Sequence, residues 1–380
     1  MIKQLNLFLF TIIICLLPQH TIAQIPASPF LHYQKFHPQD SNKLFLRIEN
    51  FNFVKNNEYS GDFKDGETLL GYVMSPKLTY YANSKLRIEA GVRLQKFSGL
   101  TDFSETEPLL SILYQPNKHH TLIFGSLNQN HNHGLSEPIF EPERFFTATG
   151  ENGFQYIYSS SLLKFDTWFN WEQFIFSGDP FSERFTYGFS GDYKLFNFNS
   201  NKTLSIPFQG VTTHRGGEID ATNEQVQTLI NLSSGIKFEK RIIDSHIKSW
   251  GIEALTYIYK DNSSEAVFVY DKGHAFEPSA WLSTKNSSIR LAYWNGFHFI
   301  APKGSYLFQS ISASNPGLGK SRRELITAKY NYSKTIGKGI QLGGKIDYYH
   351  DLNSNTAEYA AMIYISLNQS FFLKKIVPRE

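Results

Sequence analysis

The chain has 380 residues, of which 16% are aromatic and only 19% are charged, and its formal net charge is +3. A charge this close to neutral argues against nucleic acid and against a strongly acidic partner. Beyond the N-terminal segment, no apolar run reaches the roughly 18 residues of a membrane-spanning helix. The choice narrows to a large soluble all-β protein or a transmembrane β-barrel.

The N-terminal segment, residues 1–23, is predicted to be an export signal. Lys3 precedes an apolar run that extends from Leu5 to Leu17, and the run is too short to span a bilayer as a helix. The only cysteine of the sequence, Cys15, lies inside this run. The exported chain is therefore expected to fold without disulfides.

The rest of the chain is predicted to form a single domain. Residues 24–42 are expected to be a short periplasmic lead-in, too small for a plug domain. The barrel is assigned to residues 43–372, and residues 373–380 form a polar C-terminal tail.

Apolar and polar residues alternate along many segments of the barrel region. In residues 85–96, for example, Ile88 and Val92 share one face while Arg87 and Arg93 share the other. Such segments are typical of β-strands that have one polar, hydrated face and one apolar face. The pattern predicts an all-β, antiparallel transmembrane barrel of about 16 strands, within a range of about 14–18.

The connections between these strands alternate between short polar links and longer loops, which is typical of outer-membrane barrels. A soluble sandwich need not sort its connections in this way, and its exposed faces would seldom carry so many aromatic residues. Tyrosines near strand ends are expected to form interfacial girdles. They are Tyr80, Tyr81, Tyr158, Tyr257, Tyr259, Tyr330 and Tyr332.

In this pattern the chain resembles the porin-like outer-membrane β-barrels of Gram-negative bacteria, and its composition, rich in Asn, Lys and Phe, resembles that of proteins from Bacteroidota. The resemblance implies a location in the outer membrane and contact with its lipid. One departure concerns the C-terminus. Many such barrels end on an aromatic residue that acts as an insertion signal, whereas Phe371 and Phe372 are followed by eight further residues.

The segment 128–150 is predicted to be the third long loop. Leu135, Ile139 and the pair Phe145-Phe146 give it an apolar side that should pack against the barrel wall. In trimeric porins the corresponding loop narrows the lumen, so the resemblance implies a constriction here. The candidate constriction residues are His131, His133, Glu137, Glu141, Glu143 and Arg144.

Basic residues on the polar strand faces are expected to line the lumen opposite these carboxylates. Opposed charges across a pore would orient and filter polar solutes. The alternative is that the same residues pair with Asp166, Asp192, Glu89 and Asp347 in a closed interior. The candidate lumen residues are Arg87, Arg93, Lys164, Arg184, Lys194, Lys237, Arg290 and Lys345.

Two further hypotheses concern the histidines of this loop. His131 and His133 point the same way if the segment is extended, so they could share a metal ion, but the sequence fixes no third ligand. Ser136 lies three residues from His133, yet proximity within a loop is poor evidence for a converging nucleophile and base. We therefore expect no metal, no cofactor and no catalytic residue, and we do not expect an enzyme.

The sequence thus favours a porin-like channel for passive diffusion of small polar or charged solutes. The alternative is a closed structural barrel whose long loops, 213–223 and 301–319, bind a partner. A second copy of the chain or another membrane protein is a candidate partner for either. An outer-membrane hydrolase is the third and weakest reading.

Overall fold

Sixteen antiparallel strands close into one barrel in the computed structural model, which describes residues 38–127, 133–198, 201–217, 219 and 225–376. This closure confirms the predicted fold. The strands are β1 (Lys43–Glu58), β2 (Thr68–Tyr81), β3 (Leu86–Phe97), β4 (Glu105–Asn117), β5 (His120–Ser126), β6 (Asn152–Ser159), β7 (Leu163–Gln173), β8 (Arg184–Phe198), β9 (Lys202–Arg215), β10 (Gln227–Arg241), β11 (Ile247–Asp261), β12 (Lys272–Thr284), β13 (Ser287–Phe297), β14 (Arg322–Gly337), β15 (Ile340–Asp351) and β16 (Thr356–Lys375).

The sheet closes where β1 pairs with β16. Phe53 lies opposite Tyr364 on β16 and opposite Gly71 on β2, so β1 is hydrogen-bonded on both sides. A barrel without an open edge satisfies the backbone in hydrocarbon. The short turns all lie at one end of the barrel, which is the periplasmic end in proteins of this architecture. No helix in the described part of the chain is both long and apolar enough to cross a membrane.

The alternation seen in the sequence divides the strands into an outer and an inner face. On β4, Leu110 and Ile112 are exposed on the outside, whereas Leu109 and Leu113 point inward and are buried. On β3 the inward residues include Arg87, Glu89 and Arg93, and Arg93 keeps only 1% of its surface exposed. The outer face is the lipid-facing one, and the inner face carries both charged and apolar side chains.

The inner face carries apolar side chains because two long loops fold into the lumen and pack there. Residues 298–321 insert Phe299, Ile300 and Phe308 against Trp294 of the barrel wall. The loop includes a 3₁₀ turn, Tyr306–Phe308, in which Leu307 and Phe308 are buried. The loop that was considered for binding a partner, 301–319, is therefore partly buried inside the barrel.

The loop 133–150 enters the same space from the opposite side. Its short helix, Arg144–Thr147, places Phe145 and Phe146 against Phe51 and Phe53 of β1. Earlier in the loop, Phe140 packs with Trp168 of β7. Ile139 belongs to the buried hydrophobic cluster that the 298–321 loop forms with the barrel wall. The apolar side of this loop packs inside the barrel, as the sequence predicted.

Three tyrosines differ from the predicted interfacial girdle. Tyr81, Tyr257 and Tyr259 are fully buried inside the barrel instead of facing the membrane surface. Their positions in the strands place them on the inner face, where Tyr257 packs on Trp294 and Phe299. An aromatic residue near a strand end thus marks a girdle only when it lies on the outer face.

Removing Trp294 tests whether this interior is a true core. Trp294 has no exposed surface and touches Tyr257, Phe299 and Phe308 at ring distances of 5.1, 5.1 and 5.2 Å. We expect Trp294→Ala to lower the free energy of unfolding by about 3–5 kcal/mol, the usual cost of such a cavity. The lipid-facing Ile289→Ala on the same strand is the control. Equal losses in urea unfolding of the two variants would contradict a packed lumen.

Candidate functional site

The best-defined polar site in the interior is built around His133, which lies in the loop between β5 and β6. Its imidazole stacks on the indole of Trp168, with ring centroids 3.6 Å apart and planes inclined by 8°. The ring of Phe140 packs edge-on against the imidazole. The Ser190 hydroxyl donates to the carbonyl of His133, which fixes the backbone as well. The ring is therefore held rigidly by strands β7 and β8.

Two carboxylates hold the two ring nitrogens of His133. Nε2 lies 2.7 Å from Oε2 of Glu151, just before β6, and Nδ1 lies 3.2 Å from Oδ2 of Asp166 on β7. Gln155 donates to both carboxylate oxygens of Asp166 at 2.9 Å. Charge-assisted hydrogen bonds of this kind orient both the imidazole and its partners.

The charge of His133 follows from these neighbours. Burial by itself would lower the pKa of His133, but the charges of Glu151 and Asp166 and their hydrogen bonds outweigh it and raise the pKa to about 10. At neutral pH the ring is thus an imidazolium, stabilised further by the face of Trp168. An imidazolium is a proton donor and can stabilise developing negative charge.

The site has one accessible side. The side chains of His133 and Glu151 are 1% and 2% exposed, whereas that of Asp166 is 20% exposed. Lys164, which lies two residues closer to the short-turn end of β7, is exposed as well. A molecule would therefore reach the site past Asp166, from the periplasmic half of the lumen.

The predicted constriction residues occupy the same loop but serve other contacts. Glu137 accepts from the hydroxyl of Tyr349 at 2.7 Å and pairs with Lys329 on β14. The guanidinium of Arg144 lies 5.4 Å from the ring centroid of Phe140. His131 lies outside the described residues.

Glu141 and Glu143 form the polar anchor of the loop. Lys64, from the loop after β1, lies 2.6 Å from Glu141 and 2.5 Å from Glu143. Glu143 also pairs with Lys55 of β1 and accepts from Asn57 at 2.8 Å. These carboxylates thus meet lysines of β1 and its loop, which were absent from the predicted basic set.

The predicted basic residues are spread over the whole lumen. Arg93 donates to the carbonyl of Phe145 at 2.9 Å and so holds the short helix of the loop. Arg290 pairs with Glu253 at 2.8 Å, and Lys345 with Asp347 at 2.6 Å. Arg87 lies beside Glu89 near the periplasmic end, and Arg184 is exposed at the extracellular start of β8. Near Asp192 lie the three lysines Lys164, Lys194 and Lys237.

Sequence reasoning missed Glu151 as a functional candidate and considered Asp166 only as a pairing partner. Both lie on or next to strands at sequence separations of 18 and 33 residues from His133. The inward position of Asp166 was readable from the alternation along β7. Glu151 lies in the connection before β6, where no strand alternation indicates its direction.

Solved structures with a similar fold are outer-membrane proteins. OprB from Pseudomonas putida has a TM-score of 0.50 and 8% identity, with 87% of this chain and 94% of that chain covered. OprD from Pseudomonas aeruginosa has a TM-score of 0.49 and 12% identity, with 89% and 96% covered. No curated protein matches the chain. This likeness is one of fold, and it agrees with the predicted barrel.

The family described as Lipid A 3′-O-deacylase-type matches residues 36–376. The expectation that the protein is not an enzyme is therefore wrong, because this family is named for an enzymatic activity. The expectation considered only partners close to His133 in sequence, whereas strands β6 and β7 bring carboxylates to both of its nitrogens. Since the match spans nearly the whole barrel, the chain belongs to the Lipid A 3′-O-deacylase-type family.

Proposed function

We propose that the protein is an outer-membrane hydrolase that removes an ester-linked acyl chain from a glycolipid of the lipid A type. The observation that carries the proposal is the buried imidazolium of His133 between Glu151 and the accessible Asp166. The family description supplies the class of substrate. The site supplies an accessible carboxylate that can take up and return a proton, with a fixed positive charge directly behind it, as ester hydrolysis requires.

In the proposed reaction, Asp166, the accessible member of the unit, acts first as the general base and then as the general acid. Asp166 takes a proton from a water molecule while the water oxygen attacks the ester carbonyl. The positive charge of the imidazolium behind Asp166 stabilises the oxyanion, and as the carbon–oxygen bond breaks Asp166 gives the same proton to the departing sugar alkoxide. Asp166 is then again a carboxylate, held by Nδ1 of His133 3.2 Å away. No acyl-enzyme forms.

Glu151 and Trp168 are positioning residues in this scheme. Glu151 holds Nε2 and keeps the ring charged, and Trp168 fixes its plane. Because neither has an accessible face at the site, they act through His133 and do not touch the substrate.

Hydrolysis of a short-chain p-nitrophenyl ester by the detergent-solubilised protein tests the proposed chemistry without requiring the lipid. Release of p-nitrophenol above the rate of an empty-micelle control is the expected result. Failure to hydrolyse both this ester and a lipid-linked ester would refute the proposal, whereas turnover of the lipid-linked ester alone would retain the chemistry and restrict the substrate.

The pH dependence of this rate checks the role of His133. Because His133 must carry its proton, the rate is expected to persist above neutral pH and to fall as the pH passes about 10. The rate of His133→Gln, measured at each pH, corrects for hydrolysis by hydroxide. A fall centred near pH 6.5, the ordinary histidine value, would contradict an acid held between two carboxylates.

Passive diffusion of small solutes is our second candidate. The exposed Lys164 and the half-buried Lys194 and Lys237 in the periplasmic half of the lumen favour it, since they could attract anionic solutes. The packing of Phe299, Phe308 and Phe146 across the interior weighs against it. We therefore rank hydrolysis above diffusion.

A further inference from the structure

The periplasmic half of the lumen carries a basic cluster that the proposed hydrolysis does not use. It consists of Lys164 on β7, Lys194 on β8 and Lys237 on β10, with Asp192 between them. Lys164 lies opposite Asp192 in the strand register, and Lys237 forms an ion pair with that carboxylate. All of these side chains belong to the inner face of the wall between β7 and β10, in which β9 separates β8 from β10.

In this cluster the Asp192 carboxylate is the counter-charge for three ammonium groups. Within 4 Å, the described part of the chain offers no carboxylate to Lys164 or Lys194, and the other nearby acid, Glu239, pairs with Arg241 at 3.0 Å. The cluster of three lysines and Asp192 therefore has a net charge of about +2 at neutral pH. A dianion would neutralise it.

A second observation points to a ligand. Ser205 on β9 lies opposite Lys194 on one side and opposite Lys237 on the other. It is 1% exposed, and its hydroxyl has no hydrogen-bond partner among the described residues. A buried hydroxyl without a partner is costly, and an oxygen acceptor placed between the two lysines would satisfy it.

The two observations fit a tetrahedral oxyanion. Such an ion has several acceptor oxygens, so it can receive hydrogen bonds from two or three ammonium groups and a hydroxyl together. Lys164 is exposed and Lys237 is partly exposed, which leaves a path from the periplasmic side. We propose that Lys164, Lys194, Lys237 and Ser205 form a binding site for phosphate or for the phosphate group of a small solute.

Titration calorimetry of the full-length protein in detergent, in a buffer free of phosphate, tests the site. We expect saturable binding of inorganic phosphate or of a hexose monophosphate. The Lys164→Gln/Lys194→Gln double variant should weaken binding by more than about tenfold, and Ser205→Ala by about threefold to tenfold, in line with the loss of charge-assisted and neutral hydrogen bonds. A stronger response to the hexose phosphate would identify a phosphorylated solute as the ligand.

Lys334→Gln provides the matched control, because Lys334 is an exposed lysine on the outer face of β14. It should bind phosphate like the wild-type protein. Equal affinity of wild type and the double variant, or no saturable binding of either anion by the wild type, would overturn the proposal. Circular dichroism of each variant confirms that the barrel is intact, so a loss of binding reports on the site.

Discussion

Replacing His133 by glutamine is expected to lower the rate of ester hydrolysis by about 10²–10³-fold, the usual cost of removing a group that stabilises the developing oxyanion. Glutamine retains much of the shape of imidazole but carries no charge. Asp166→Asn should lower the rate by about 10²–10⁴-fold, because it removes the group that takes the proton from water and gives it to the alkoxide. The measurement is the initial rate of p-nitrophenol release at pH 8, after correction for empty micelles.

His119→Gln is the matched control for this prediction. His119 lies at a periplasmic turn, where its Nδ1 is 2.7 Å from the carbonyl oxygen of Ser159, and it makes none of the contacts that hold His133. It should retain the wild-type rate. A rate for His133→Gln within a factor of two of the control would exclude a catalytic role for the charge of His133. Glu151→Gln should lower the rate and also shift its fall to lower pH, which a purely structural residue would not do.

Replacing both Lys55 and Lys64 by methionine is expected to release the loop 133–150 from the barrel wall. The two lysines are 6% and 14% exposed and pair with Glu143, and Lys64 also pairs with Glu141. Removing one partner of a buried ion pair typically costs about 3–5 kcal/mol. We expect faster amide hydrogen exchange across the loop and stepwise conductance in planar bilayers, where the wild-type barrel should be silent.

Lys260→Met serves as the control, because Lys260 is exposed on the outer face of β11. Acid should mimic the double variant only at extreme pH. Burial raises the pKa of Glu143, but the charges of Lys64 and Lys55 outweigh it and lower the pKa to about 2. The stabilising contribution of Glu143 is therefore present above its unfolded pKa and is lost as the pH falls towards 2. Wild-type conductance at neutral pH would contradict a loop held by these pairs.

The fold was predictable because strand alternation is a local property. The inward set of β3, Arg87 and Arg93 among them, follows from period-2 spacing alone, and the same rule located all sixteen strands. The apolar side of the loop 133–150 was also predictable from the sequence, because exposing Phe145 and Phe146 to water is unfavourable. Local pattern therefore decided the architecture and the inward course of this loop.

The site was not predictable in the same way, because its partners come from different strands. Which carboxylate meets His133 depends on the strand register, which sets Gln155 opposite Trp168, and on the path of the loop. The inward orientation of Tyr257 and Tyr259 was not predicted, for a related reason. Aromatic side chains occur on the inner face only because a second loop, 298–321, fills the lumen beside them.

The most direct test of the central claim is the mass spectrum of a purified lipid A preparation after incubation with the wild-type protein in mixed micelles. Hydrolysis at the His133 site predicts the loss of one acyl chain from the glycolipid, with an equal amount of free fatty acid released. The intact mass of the protein should stay unchanged throughout, since water attacks directly. A lipid spectrum that remains unaltered after prolonged incubation would contradict the proposed deacylase.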